Sequence, residues 1–198
     1  IIEDSARFKV LSCGRRFGKT TVAIDLLSEH LLDGHTVAYF APTYRMTKEV
    51  WEEMKGRFGP LTRRLSEHDF RMELYNGGVL DCWSLHGVAA ETVRGRKYHL
   101  AVIDEAAIVA DASIWQAAIR PLLTDYKGAA LFCSTPKGRN WFWTLFVQGQ
   151  DVKFMDWQSW QYPTTTNPHI DAQEVADAQR ELPERVFKQE YLAQFLED

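Results

Sequence analysis

Cys13-Gly14-Arg15-Arg16-Phe17-Gly18-Lys19-Thr20-Thr21 follows the apolar run Phe8-Lys9-Val10-Leu11 and opens into Thr21-Val22-Ala23-Ile24-Asp25-Leu26-Leu27. The first run reads as a strand and the last as a helix. Strand, tight loop, Gly-Lys-Thr and helix N-terminus together make the setting of a phosphate-binding P-loop. In such a loop the backbone N–H groups and the first helical turn, including Thr21, converge on polyphosphate, and the helix dipole adds positive potential. Gly18 lets the backbone approach, Lys19 supplies a point charge for the β- and γ-phosphates, and Thr20 offers a hydroxyl to Mg²⁺. The usual pattern is Gly-x4-Gly-Lys-Thr. Here Cys13 stands in place of the first glycine, and Gly14 is displaced by one. A degenerate Gly-Lys-Thr also arises by chance, so a second signal is needed.

Leu100-Ala101-Val102-Ile103-Asp104-Glu105-Ala106-Ala107 supplies it. An apolar run ending in two carboxylates is the pattern of a buried parallel strand whose C-terminal end faces a ligand crevice. Asp104 would hold Mg²⁺, through a water, and Glu105 would polarise an attacking water as general base. The plain structural alternative is a helix N-cap pair. Downstream of a P-loop, the catalytic reading is the stronger, and the two motifs together point to an ATPase.

At 198 residues the chain has room for one domain with a small appendage. Hydrophobic residues make up 45%, with seven tryptophans, which is ample for a core. Cys13, Cys82 and Cys133 sit in apolar runs without ligand spacing and read as reduced core residues. The six histidines form no metal-ligand pattern, and no signal peptide or long apolar span is present, so a soluble intracellular protein is expected. A net charge of −4 gives no general attraction for nucleic acid, so any contact with DNA would need a local basic patch.

Further strands are expected at Thr36-Val37-Ala38-Tyr39-Phe40-Ala41-Pro42, at 128–134 and at Lys153-Phe154-Met155-Asp156-Trp157. Asn76-Gly77-Gly78 between Asp69–Tyr75 and Val79–Leu85 is a hairpin signal. Helices are expected at about 46–57, 113–120, 141–148, 171–181 and 183–195. Alternating strands and helices imply an α/β fold, a mostly parallel sheet with helices on both faces. At least one strand should lie between the P-loop strand and the Asp104 strand. That fits the additional-strand, catalytic-glutamate class of P-loop NTPases.

These residues together resemble the ATPase domain of the large terminase subunit, the DNA-packaging motor of tailed phages. Four segments carry the resemblance: the loop Gly14-Arg15-Arg16-Phe17-Gly18-Lys19-Thr20 with its internal arginines, Ala41-Pro42-Thr43-Tyr44, Val93-Arg94-Gly95-Arg96 ahead of Ile103-Asp104-Glu105-Ala106-Ala107, and Ser134-Thr135-Pro136-Lys137-Gly138. Gln189-Glu190-Tyr191-Leu192-Ala193-Gln194-Phe195 resembles the close of the family's lid subdomain. The similarity covers nearly the whole chain. It implies an ATPase core over 1–160 and a lid or linker over 161–198, leading to a nuclease domain absent from this chain. The family's adenine-reading glutamine motif would lie upstream of Ile1, so an excised domain is expected.

The resemblance further implies ATP and Mg²⁺, double-stranded DNA, a homo-oligomeric ring on a portal protein, a small terminase subunit, no membrane, and a place in the host cytoplasm. Lys19, Glu105 and Arg15 would be catalytic, with Arg15 in the family's loop-arginine position. Gly14, Arg15, Arg16, Phe17, Gly18, Lys19, Thr20, Thr21, Ser134 and Thr135 would bind nucleotide. Thr20 and Asp104 would hold the metal. Against these stand a surface salt bridge for Arg15 or Arg16 and an ordinary strand-end cap for Ser134 and Thr135. Arg57, Arg63, Arg64, Arg94 and Arg96 are candidates for an arginine finger given to a neighbouring subunit. Tyr44, Trp141 and Trp143 read better as core aromatics than as base-stacking platforms. Two other readings share the motifs: a fragment of a superfamily 1 or 2 helicase, and a nucleotide-switch module without turnover.

Overall fold

The computed structural model describes residues 1–86, 93, 95–109 and 111–197. In chain order the elements are β1 (Phe8–Cys13), α1 (Lys19–Leu32), β2 (Thr36–Ala41), α2 (Tyr44–Phe58), β3 (Thr62–Ser66), β4 (Arg71–Leu74), β5 (Val79–Ser84) and β6 (Leu100–Asp104). They continue with β7 (Ala129–Ser134), α3 (Trp141–Gln148), β8 (Trp157–Tyr162), α4 (Ala172–Glu181) and α5 (Glu184–Glu190). The strand order is β3-β4-β5-β2-β6-β7-β1-β8, so one strand, β7, stands between β6 and β1 as the sequence led us to expect. The chain divides into two compact units.

The first unit comprises Ile1–Thr21, Glu105–Ile108 and Phe132–Asp198. Strand β1 is buried along its whole length and pairs in parallel with β8, from Phe8 opposite Trp157 to Cys13 opposite Tyr162. The sequence placed the last strand at Lys153–Trp157, but Lys153–Asp156 turns and the strand begins at Trp157. The reason is its position: β8 ends the strand order. An edge strand is half solvated, so Gln158 and Gln161 fit it although they broke the apolar pattern, while Ser159 is buried and its hydroxyl donates to the Phe146 carbonyl at 2.7 Å. Helix α4 starts at Asp171, whose carboxylate accepts the Gln173 N–H. The expected helix over 183–195 stops at Glu190; Ala193 then takes a positive φ of 55°, and Phe195 returns to rest against Phe142 and Phe146.

The second unit comprises Val22–Asp104 and Val109–Leu131. Strand β2 lies parallel to both β5 and β6, while β3, β4 and β5 are antiparallel neighbours. Strands β2 and β6 are almost wholly buried, which is why both read as unbroken apolar runs. The Asn76-Gly77 turn closes the β4–β5 hairpin with Gly77 at φ 92°, and the Asn76 amide donates to the Leu31 and Leu32 carbonyls that end α1. Helix α2 begins at the Thr43 cap and buries Thr47, Val50, Trp51, Met54 and Phe58, a single stripe at helical spacing. Strand β3 was not foreseen: Thr62-Arg63-Arg64-Leu65-Ser66 is a charged edge strand that no hydrophobic pattern reveals. The helix expected over 113–120 forms a wide π turn at Ile114–Ile119, then one α turn at Arg120–Leu122. Pro121 explains the widening, because proline lacks an N–H and crowds the carbonyl four residues back.

Candidate active site

The loop between β1 and α1 is held from its own unit. The Gly14 N–H donates to the Tyr162 carbonyl at 2.9 Å, and the Arg15 N–H donates to the Glu190 carbonyl at 2.7 Å. A side chain at Gly14 would collide: its Cβ would fall 2.4 Å from Thr164 Oγ1 and 2.5 Å from the Tyr191 carbonyl oxygen. This explains the displaced glycine of the sequence pattern. At position 13 a side chain is accommodated, since Cys13 ends β1 fully buried. At position 14 the backbone of the C-terminal segment leaves no room. Phe17 stacks on Tyr162 with ring centroids 5.1 Å apart. Arg16 takes a φ of 56° and Gly18 one of 106°, and around a Cβ built on Gly18 there is open space. The loop's approach side at Gly18 is therefore clear, as close approach by a ligand requires.

Lys19 opens α1 and is buried. Its ammonium donates to Thr135 Oγ1 at 3.0 Å and lies 3.5 Å from Glu105 Oε1. Glu105 follows directly on β6 and adopts φ 48°. For a non-glycine residue that conformation costs on the order of 1–3 kcal/mol and is characteristic of functional positions. Ser134, the last residue of β7, accepts the Ala107 N–H at 3.1 Å. Its hydroxyl oxygen lies 3.2 Å from Glu105 Oε2 and 2.9 Å from the Thr135 carbonyl, so its one proton serves either partner. Asn140 secures the same turn by donating to the Ala107 carbonyl at 2.8 Å. Lys19, Glu105, Ser134 and Thr135 thus form one cluster, four residues that the sequence had singled out on three separate segments.

Asp104 ends β6, buried, and accepts from the Tyr39 hydroxyl at 2.9 Å. Tyr39 lies in the middle of β2 and carried no signal beyond its place in an apolar run. Thr20 and Thr21 are exposed on the first turn of α1. Arg15 is exposed, and its Nε donates to Glu190 Oε2 at 2.5 Å; this hydrogen bond and the charge of Glu190 hold its pKa above the ordinary arginine value. The Cys13 thiol is pushed up to about 12 by burial, only partly offset by the nearby Lys19 charge.

Of the candidate finger arginines, Arg57 is bridged to Asp25 and Glu53, and Arg63 to Glu73. Arg64 and Arg96 are exposed, and Arg94 lies outside the described residues. Tyr44 departs from its expected place in the core: it is 60% exposed and stacks on Phe70. Sequence reasoning missed Tyr162, Thr164, Asn167 and the backbone at Glu190–Tyr191, all of which touch the loop. They lie some 150 residues from it in sequence, as the Thr164 bond to Arg15 shows with a separation of 149. No local pattern reports such a contact.

The family model described as "Terminase large subunit, T4likevirus-type, N-terminal" matches residues 10–198. The chain belongs to this family. It is 32% identical to the terminase large subunit of Escherichia phage T5 over 200 residues, covering 98% of this chain and 45% of that protein. With the terminase large subunit of Thermus virus P23-45 it shares 32% identity over 119 residues, 54% of this chain and 24% of that one. The chain thus spans less than half the length of these curated terminase relatives. Its fold is that of solved terminases. The large terminase ATPase domain of Thermus phage P74-26 superposes with a TM-score of 0.81 at 23% identity, over 98% of this chain and 90% of that one. The large terminase of another thermophilic bacteriophage, solved in complex with ADP, gives 0.76 at 15% identity over 96% and 48%.

Proposed function

We infer that this chain binds ATP with Mg²⁺ and hydrolyses it, and that hydrolysis drives double-stranded DNA into a viral procapsid. The observation that carries the reading is the cluster at the start of α1, in which the Lys19 ammonium meets Thr135 and Glu105. Membership of the terminase large-subunit family supports it, as do solved relatives described as complexes with ADP and with ATP-γ-S. The donor set suits the groups. A clear loop face at Gly18 beside a buried ammonium fits polyphosphate, and hydroxyl and carboxylate oxygens fit a hard cation.

Gly14, Arg15, Arg16, Phe17, Gly18, Lys19, Thr20 and Thr21 form the phosphate-binding segment. Lys19 neutralises charge that develops on the transferred phosphoryl group. Thr20, and Asp104 through a water, would hold Mg²⁺, which would supply positive charge against the phosphates. Tyr39, by donating to Asp104, fixes the direction of that carboxylate. Glu105 takes the proton of the attacking water as general base. Ser134 orients Glu105, and Thr135 orients Lys19. Arg15, held by Glu190, is the loop arginine that joins the stabilising charge.

Residues 161–198 serve as a lid beside the loop. In the full-length protein the domain works as a homo-oligomeric ring on a portal, with a small terminase subunit, in the host cytoplasm; among the described residues no helix is long and apolar enough to cross a membrane.

Calorimetric titration with ADP in Mg²⁺ and again in excess chelator tests the site. Binding that weakens in chelator and is lost in Lys19→Ala supports the assignment. Equal binding by wild type and Lys19→Ala would remove it.

A further inference from the structure

We propose that Thr164 and Asn167 are positioning residues of the phosphate loop, which set the direction of its backbone N–H groups from behind. The proposal rests on the nucleotide-binding reading above.

Three consecutive loop carbonyls accept hydrogen bonds from these two side chains. The Thr164 hydroxyl donates to the Arg15 carbonyl at 2.8 Å. The Asn167 amide donates to the Arg16 carbonyl at 2.7 Å and approaches the Phe17 carbonyl at 3.4 Å. A trans peptide unit is planar, with its N–H and C=O pointing in opposite directions. Drawing the Arg15, Arg16 and Phe17 carbonyls toward the C-terminal segment therefore turns the N–H groups of Arg16 and Gly18 the other way, while the Phe17 N–H makes a long contact of 3.4 Å with the Gly14 carbonyl inside the loop. A peptide that flipped would present a carbonyl oxygen to the anion instead of a donor. The Arg16 carbonyl needs this restraint most, because Arg16 sits at φ 56° and gains nothing from its own conformational preference.

The two residues are themselves fixed. Thr164 is buried, and its N–H donates to the Tyr191 carbonyl at 2.7 Å. Asn167 Oδ1 accepts the His169 N–H at 2.9 Å, which assigns its amide nitrogen to the loop. The fit is close enough that the loop carries glycine at position 14, where a Cβ would meet Thr164 Oγ1. Pro163, which has no N–H, and the short turn Thr164–Thr166 present both side chains on one stretch after β8.

Two near-isosteric changes test the role. Thr164→Val removes the hydroxyl, and Asn167→Asp keeps the shape and the bond from His169 but replaces the donor with an acceptor. A fluorescent ADP analogue measures affinity, with inorganic tripolyphosphate and adenosine as competitors, beside thermal unfolding. Both variants are expected to weaken ADP and tripolyphosphate by about tenfold, the scale of one lost hydrogen bond to a carbonyl then left unpaired. Competition by adenosine, where measurable, should be unchanged, and Thr164→Ser should restore affinity. Asn167 is half-exposed, so its variant should unfold within a few degrees of wild type. Wild-type affinity for ADP and tripolyphosphate in both variants would overturn the proposal. Failure of the wild-type chain to bind ADP at all would instead remove the reading beneath it.

Discussion

Lys19 and Glu105 form a charge pair 3.5 Å apart, the ammonium buried at the head of α1 and the carboxylate on a left-handed residue just past β6. The pair ties the two motifs that define the site. It also gives the strain at Glu105 a function, since φ 48° lets a residue that follows a buried strand turn its side chain back toward Lys19. Thr135 and Ser134 hold one partner each.

Replacing Glu105 should separate chemistry from stability. Glu105→Ala and Glu105→Gly are both expected to lower turnover by roughly 10²- to 10⁴-fold, the usual contribution of a general base. Glycine adopts positive φ without the penalty that alanine meets. Glu105→Gly should therefore unfold at a higher temperature than Glu105→Ala, by an amount corresponding to about 1 kcal/mol. Thermal denaturation of the two variants side by side checks this; an order reversed would show that the backbone relaxes when the side chain is lost.

The two glycines Gly14 and Gly56 should respond in opposite directions to alanine. At Gly14 a methyl group meets Thr164 and the Tyr191 backbone, so Gly14→Ala is expected to destabilise by about 1–3 kcal/mol and to weaken nucleotide binding. At Gly56, inside α2, a Cβ meets nothing within 4 Å. Gly56→Ala should stabilise by roughly 0.5–1 kcal/mol through helix propensity. Chemical denaturation of both variants decides the point.

Much of this was legible in the sequence, and the residues show why. Strands β1, β2, β6 and β7 are buried, so their composition alone announces them. Lys19, Asp104 and Glu105 lie at strand and helix ends, where a few adjacent residues carry the chemistry. Strands β3 and β8 escaped or shifted because edge strands tolerate Arg63, Arg64, Gln158 and Gln161. The support of the loop by Thr164, Asn167 and Glu190 was invisible for a different reason. It depends on packing between segments 149 to 175 residues apart, which no periodicity encodes.

Stability should fall as the solution is acidified through the histidine range. The His99 pKa is lowered, first by burial and then by the neighbouring His35. Its Nδ1 accepts the Thr36 N–H at 3.1 Å, which suits the neutral ring. The ring lies stacked between His35 and Tyr126, and His30 lies against His35. A lowered pKa means that the unfolded chain binds the proton more tightly. The stabilising effect is therefore complete above the unfolded value near 6.5 and is lost as pH falls through the folded one. Unfolding temperature measured from pH 8 to pH 5 should decline across this window, and less steeply in His99→Gln. Parallel profiles for the two proteins would exclude His99 as the source.

Cys13, Cys82 and Cys133 should be inert in the folded protein, since all three are buried thiols outside any disulfide and burial raises the pKa of Cys13 and Cys82. A thiol reagent at pH 8 should find no reactive group in native protein and three after denaturation. Rapid labelling of Cys13 would show that the start of the loop opens.

Steady-state ATP hydrolysis by the wild-type chain beside Lys19→Ala and Glu105→Ala, with Mg²⁺ and across a range of protein concentrations, tests the central claim most directly. Turnover lost by at least two orders of magnitude in both variants, with wild-type specific activity rising as protein concentration rises, is the expected result. The rise would follow from an arginine supplied by a neighbouring copy. Tight nucleotide binding with no turnover at any concentration, or undiminished turnover in Glu105→Ala, would contradict the account.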